Sequence, residues 1–398
     1  MPEKFSFEIL KKDKKSRARV GIIHTRRGNL ETPYLVPVGT SASVKSLDSG
    51  DLENLKVRCI LANTYHLHIQ PGENVIAKIG GLHKFMNFSK PIFTDSGGFQ
   101  VFSFGFGKEH GVSKVGFFLE GREPAPRSEK LASINEKGVY FKSIRDGRKL
   151  FMGPKESMKI QEKLDSDIIM AFDECTSPLS DYDYTKNSVE RTHRWLKECL
   201  QTYNKKQAFY GIIQGGFFRD LRELSTDFVK AQKVDGIAIG GPLGQGRKDI
   251  IQVLDWVIPR LDEERPRHLL GIGEVGDIFE CVERGIDTFD CVNHTRIARR
   301  GNLLISPRSG GNVKNKFRLN IKNKQFEKDK NSVDKNCDCS TCRNYSRAYL
   351  HHLYKAKEIS YFRLATIHNT YFMLRLLEEI RESIKKDEFG KLKRVWVK

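Results

Sequence analysis

Eight short apolar runs recur between residues 35 and 292, at 35–38, 59–62, 91–94, 168–172, 209–213, 236–239, 268–270 and 288–289. Several are β-branched, and Gly or polar residues bound them. Amphipathic stretches at 154–165, 185–204, 219–233, 248–258 and 275–285 separate the later ones. A strand that is apolar on both faces must be covered on both, as a parallel sheet wrapped by helices is. Eight such strands fit a closed α/β barrel, (β/α)8, better than an open sheet. The chain is long enough, at 398 residues, to give most of itself to one barrel and still carry a further unit.

The residues that end these runs carry the chemistry. Asn63, Asp95, Asp173, Gln214, Gly240 with Gly241, Gly271 and Asp290 each follow an apolar run. In a (β/α)8 barrel the strand C-termini form one face, and side chains there converge on one pocket. Polar residues also end strands for turn reasons, and an Asp there can simply cap the next helix. Three carboxylates and an amide together point instead to a hydrogen-bonding pocket whose donors and acceptors match the edge of a purine. Paired carboxylates at such a mouth can act on a glycosidic bond, one attacking the anomeric carbon and the other moving protons. In 94–100, Thr-Asp-Ser-Gly-Gly-Phe-Gln, the glycines let backbone N–H groups approach a bound group closely.

Two segments break the repeat. Residues 104–138, rich in Gly, Glu and Lys, read as a long loop or hairpin excursion, and 306–336 as a basic loop. Stretches 343–357 and 361–385 then read as two amphipathic helices. The expected organisation is a catalytic barrel over 1–305 with an insertion near 104–138, a basic loop and helical subdomain over 306–385, and a tail over 386–398. Of the net charge of +19, twelve units fall after residue 300, where 22 Lys and Arg face 10 Asp and Glu. A basic terminal third is explained best by a polyanionic partner, nucleic acid first. No apolar run approaches 18 residues and the opening residues are polar and Lys-rich, so no membrane association and a cytoplasmic location are expected.

Cysteine usage adds a metal. Cys337, Cys339 and Cys342 lie within six residues, among polar neighbours, and His368 comes 26 residues after the last. Three thiolates and an imidazole make a closed tetrahedral Zn(II) set with no position left for water, so its role would be structural. His351 and His352 compete with His368 for the fourth place. The form Gly271-Ile272-Gly273-Glu274-Val275-Gly276 matches a dinucleotide fingerprint, but it follows the seventh strand and no second mononucleotide half comes after it. His294, Arg296, Arg299 and Arg300, just beyond Asp290, suit phosphates on either side of a reacting nucleotide.

Taken together, these motifs resemble the bacterial tRNA-guanine transglycosylases, or queuine tRNA-ribosyltransferases. The matching segments are TDSGGFQ (94–100), IIMAFDEC (168–175), IIQGG (212–216), AIGG (238–241), FDCVNHTRIARRG (289–301), CDCSTC (337–342), NYSRAYLHHL (344–353) and TIHN (366–369). The resemblance implies an irregular (β/α)8 barrel with a C-terminal zinc-binding helical subdomain, usually a homodimer. It implies exchange of guanine at the wobble position, 34, of tRNAs with GUN anticodons for a 7-deazaguanine, preQ1 or queuine, in queuosine biosynthesis. It implies Asp290 as the nucleophile on C1′ of the ribose and Asp95 as general acid/base. Asp95, Ser96, Gly97, Gly98, Phe99, Asp173, Gln214, Gly240, Gly241 and Leu270 would bind the base, with Phe99 and Leu270 on its two faces. Gly271, Ile272, Gly273, Glu274, Val275, Gly276, Asp277, Thr295, Arg296, Ile297, Ala298 and Arg299 correspond to segments that contact tRNA. Cys337, Cys339, Cys342 and His368 match the ligands of one zinc ion.

Pro242, Leu243, Gly244 and Gln245 stand where the family normally has a small loop containing Glu, which would suit the cationic preQ1, whereas Cys175 matches the bacterial pocket. The incoming base therefore stays open between preQ1 and queuine. Two other functions use the same residues. A non-catalytic zinc-dependent tRNA-binding subunit would be expected to lack one key carboxylate, and both are present. A glycoside hydrolase has no use for the basic terminal third.

Overall fold

The structure is a computed structural model that describes residues 5–100, 132–143, 145–241 and 246–397. Eight parallel strands close into a barrel in simple sequential order: β1 (Tyr34–Gly39), β2 (Ile60–Ala62), β3 (Ile92–Thr94), β4 (Ile168–Met170), β5 (Ala208–Ile213), β6 (Gly236–Ile239), β7 (Arg267–Leu269) and β8 (Thr288–Cys291). Strand β8 returns to β1, pairing Asp290 with Val36. Helices α1 (Pro154–Leu164), α2 (Tyr182–Thr202), α3 (Arg219–Lys230), α4 (Arg247–Val257) and α5 (Val275–Glu283) precede β4 to β8 in turn. The eight expected strands and five expected helices are all present, displaced at their ends by a few residues at most.

Alternation explains why the strands read as unbroken apolar runs. Val36, Val38, Leu61, Phe93, Ile168, Met170, Tyr210, Ile212 and Ala238 pack together inside the barrel. Their neighbours Leu35, Ile60, Ile92, Ile169, Phe209, Ile213, Ile237 and Leu269 belong to the cluster beneath the outer helices. Both faces are buried, so neither can be polar.

Three departures from a regular barrel position the site. An antiparallel sheet (Ser6–Lys12, Arg19–Thr25, Gly28–Thr32) plugs the N-terminal end, with Ile23 and Leu30 joining the interior cluster. Three short helices (Thr64–Ile69, Glu73–Ile79, Leu82–Met86) stand where one crossover helix would join β2 to β3. Ala132–Asn135, Gly138–Lys142 and Lys149–Met152 form a second antiparallel sheet, in a region expected partly as loop. The rest of the expected insertion, 104–131, lies outside the described residues.

After β8 come α6 (Asn293–Arg299) and an antiparallel pair, Asn302–Leu304 with Arg318–Asn320, the latter inside the expected basic loop. The first expected C-terminal helix is two: α7 (Ser340–Asn344) and α8 (Arg347–Lys355), parted where Ser346 caps the second. Helix α9 (Ile359–Lys385) packs against α6 and β1, in the place of the eighth outer helix. The cysteine-bearing segment is thus tied into the barrel wall. Residues 386–398, expected as a tail, include helix α10 (Phe389–Val397). Phe389 and Trp396 lie on one face of it and are buried, Trp396 meeting Phe279, Phe317 and Phe372. No helix among the described residues is long and apolar enough to cross a membrane.

Candidate active site and metal centre

Asp95 follows β3 and is gripped by the end of β2. Asn63 donates its amide N–H to Oδ2, the Thr64 N–H donates to Oδ1 at 2.9 Å, and the Gly97 N–H donates to Oδ1 at 3.2 Å. The Thr64 hydroxyl also donates to the Asp95 carbonyl at 2.5 Å. Gly97 makes this turn at φ +81°, where a side chain would be strained. Loss of water around the carboxyl, with the negative charge of Asp290, raises its pKa to about 7 despite these donors. That influence places the two aspartates, 195 residues apart in sequence, near one another.

Asp290 sits on β8, its side chain 16% exposed. Oδ1 accepts from the backbone N–H of Gly271 at 3.1 Å and from Nε2 of His268 at 3.2 Å. Neither aspartate forms an ion pair with Lys or Arg among the described residues.

A hydrogen-bonded cluster from the ends of β3, β4 and β5 lies beside Asp95. Ser96 Oγ donates to Asp173 Oδ1 at 3.1 Å, and Gln214 Nε2 donates to Oδ2 at 2.6 Å. Burial raises the Asp173 pKa to about 6. Glycines permit this close approach: a Cβ on Gly98 would stand 2.6 Å from the Asp173 carbonyl, and one on Gly241 2.2 Å from Gln214 Oε1. A Cβ on Gly240 would lie 3.1 Å from the Leu270 side chain. Gln214 Oε1 is buried without a hydrogen-bond partner among the described residues. The backbone of this cluster is held by Arg222, wholly buried, which donates to the carbonyls of Ile213, Gly216 and Gly240 at 3.2, 2.8 and 2.8 Å. Phe99 is 42% exposed. Residues 242–245 lie outside the described residues.

The two segments expected to meet RNA flank Asp290. Gly271, Ile272, Glu274, Asp277, Arg296 and Arg299 are at least partly exposed. Gly273, Val275, Gly276, Thr295, Ile297 and Ala298 are buried. His294, expected among the phosphate groups, is also buried, and burial lowers its pKa to about 4. Burial and the like charges of Arg296 and Arg300 lower that of Arg299, and its Nη1 has no partner among the described residues. An anion would relieve that repulsion. The Gly271–Gly276 form serves Asp290 through the Gly271 N–H, a role unrelated to a dinucleotide.

Cys337, Cys339, Cys342 and His368 bring one ligand atom each to within 4.8 Å of one another. The three sulfurs lie 3.6, 3.6 and 3.3 Å from His368 Nδ1. A tetrahedral ion with bonds of about 2.3 Å to sulfur and 2.0 Å to nitrogen implies S···N edges of roughly 3.5 Å, so the cluster is of the right size to hold one metal ion. Nε2 of His368 is aimed by the Leu304 carbonyl at 2.7 Å. His351 bonds the Ile321 carbonyl instead, and neither it nor His352 joins the cluster.

The family model for queuine tRNA-ribosyltransferase matches residues 13–398. A protein of Archaeoglobus fulgidus named putative queuine tRNA-ribosyltransferase is 55% identical over the full length of both chains. Queuine tRNA-ribosyltransferases of Halothermothrix orenii (44% identical, 96% of this chain and 94% of the relative) and Roseiflexus sp. (42%, 98% and 99%) are similar over nearly the same extent. The chain belongs to the queuine tRNA-ribosyltransferase family.

The barrel end gathers Asn63, Asp95, Asp173, Gln214, Gly240, Gly241, Gly271 and Asp290, the residues that end the apolar runs, with Ser96, Gly98 and Leu270 beside them. Sequence reasoning missed the groups that hold them. Thr64 contributes mainly backbone and has no signature. Arg222 reads as one more cation on a helix, and His268 as one polar residue in an apolar run, a signal in itself because a buried imidazole needs partners.

Proposed function

We propose that this chain is a tRNA-guanine transglycosylase that replaces guanine at wobble position 34 of tRNAs with GUN anticodons by a 7-deazaguanine, through a covalent ester between Asp290 and the ribose. The reading rests on one observation above all. Among the described residues, two carboxylates without Lys or Arg partners stand at one barrel end, near enough for the charge of Asp290 to raise the pKa of Asp95, with Asp173 and Gln214 bonded to each other beside Asp95.

The roles follow from chemistry. Asp290 Oδ2 bonds to C1′ as the C1′–N9 bond breaks; the electron pair leaves with N9, which takes a proton from Asp95. With a pKa near 7, Asp95 holds that proton in part of the population at neutral pH and can take one back. The incoming base gives its N9 proton to Asp95, N9 bonds to C1′, and the ester oxygen departs as the Asp290 carboxylate. Asp173 accepts from the N1–H and N2–H groups of the purine edge, Gln214 and the Gly241 N–H complete its recognition, and Phe99 and Leu270 cover its faces. Extruding the base costs a few kcal/mol, roughly. Phosphate contacts from Arg296, Arg299 and the basic residues after position 300 offset that cost.

The three thiolates and His368 would hold one Zn(II), whose closed set leaves no position for substrate and makes it a structural ion. A homodimer acting in the cytoplasm fits the family. Competition between preQ1 and queuine for one tRNA identifies the incoming base. The test of the reading is incorporation of labelled guanine into tRNA by the purified chain alone. Asp290→Ala should abolish it while tRNA binding persists. Retained exchange in that variant removes Asp290 from its role, and no incorporation by the unaltered chain favours a non-catalytic tRNA-binding subunit.

A further inference from the structure

We propose that His268, with Thr288 behind it, is a positioning residue that selects which oxygen of Asp290 attacks the sugar. The proposal rests on the reading of Asp290 as nucleophile.

His268 is wholly buried on β7, directly beside Thr288 in the strand register. Thr288 and Asp290 are two apart on β8 and so point to the same face. Nδ1 of His268 lies 2.9 Å from Thr288 Oγ1, and Nε2 lies 3.2 Å from Asp290 Oδ1. A carboxylate only accepts, so the hydrogen bond to it requires the proton on Nε2. Nδ1 is then free to accept the Thr288 hydroxyl proton, which gives the second ring nitrogen a partner and holds the ring in place. The ring is stacked on Phe93 at 5.3 Å between centroids and 24° between planes, so it cannot swing.

The terminal torsion of an Asp side chain is broad and two-fold, so an unrestrained carboxylate presents either oxygen. Here the His268 Nε2–H and the Gly271 N–H both converge on Oδ1. None of the described residues hydrogen-bonds Oδ2. One oxygen is therefore tethered and its charge partly neutralised, and the other is left with its electron pair uncommitted among the described residues. Without the His268 bond only the Gly271 N–H remains, and Oδ2 spends less time on line to C1′.

Single-turnover formation of the RNA–protein adduct, tRNA affinity and steady-state guanine exchange separate this from a structural role. His268→Phe keeps the ring on Phe93 and removes both nitrogens. It should slow adduct formation roughly 10- to 100-fold, the scale of a misplaced reacting group, with tRNA affinity and KM for guanine within about 3-fold. His268→Gln returns an N–H near the position of Nε2 and should recover most of the rate. Thr288→Val, which removes the partner of Nδ1, should show a smaller loss in the same step. An unaltered adduct rate in His268→Phe overturns the proposal. So does a loss in His268→Gln as large as in His268→Phe, or one carried by KM or tRNA affinity. If His268→Phe does not fold, His268→Gln and Thr288→Val decide: both at the unaltered rate overturn the proposal, and a graded loss in adduct formation alone sustains it. Asp290→Asn is assayed in parallel. If it still exchanges guanine, the nucleophile assignment fails, an outcome distinct from failure of the His268 role.

Discussion

Strands β4 and β8 each carry an aspartate near both ends, and the two ends of the barrel treat it in opposite ways. Below β4, Asp167 is buried, yet His83, the Ile92 N–H and Arg27 outweigh that burial and hold its pKa at about 2. Above β4, Asp173 meets only neutral donors, and burial raises it to about 6. Below β8, Asp287 is wholly buried against Arg19, with Oδ1 and Oδ2 taking Nε and Nη2 at 2.8 and 2.6 Å. Above it, Asp290 has an imidazole and a backbone N–H. Charge is neutralised by cations at one end and met by neutral donors or an imidazole at the other, the end where the proposed reaction takes place, the division of labour expected of the two ends of such a barrel.

The widest gap between the ends should appear on removing one charge from each. Asp95→Asn, at the reactive end, should lower guanine exchange about 10²- to 10⁴-fold, the range for a lost general acid/base, with the thermal unfolding midpoint little changed. In the unaltered chain the acid form of Asp95 depletes above pH 7, so kcat/KM for tRNA should fall there, and this limb should vanish in Asp95→Asn. Because its folded pKa is raised, Asp95 also makes stability decline as pH rises from the ordinary carboxylate range to about 7.

At the other end the loss should be in folding. Asp287→Asn leaves the Arg19 cation buried without its partner, costing about 3–5 kcal/mol, while exchange per mole of folded protein stays unchanged. Denaturant unfolding with activity normalised to the folded fraction checks both halves. Asp167 acts in the opposite sense to Asp95. Its folded pKa is depressed, so its contribution is present above the ordinary carboxylate pKa of 3.8 and is lost as pH falls toward 2. A smaller effect is expected for Asp173→Asn, which replaces a charged acceptor by a neutral one at the proposed base site. KM for guanine should rise by about 10- to 100-fold, equivalent to roughly 1.5–3 kcal/mol, without loss of tRNA affinity.

The barrel could be read in the sequence because burial on both faces turns each strand into an apolar run, and the aspartates proposed to react because each ends such a run. What could not be read depends on who meets whom across the fold. Nothing near Asp287 in sequence names Arg19 as its partner, so the aspartates at 287 and 290 look alike until the plugging sheet is in place. Ser6–Lys12 alternates exposed with half-buried residues and reads as polar chain. Helix α10 is nine residues long, and its two buried aromatics find their partners on α5, on α9 and near residue 317. His268 was visible as a residue but not as a role, since its partners lie 20 and 22 residues away on another strand.

The central claim is that a ribose is esterified to Asp290 during exchange. Denaturing the protein during turnover with tRNA, digesting it and locating the attached nucleotide by mass spectrometry tests this directly. A denaturant-resistant adduct on the peptide containing Asp290, absent from Asp290→Ala, is the predicted result. An adduct on Asp95 or any other residue, or full exchange with no adduct at any time point, would contradict it.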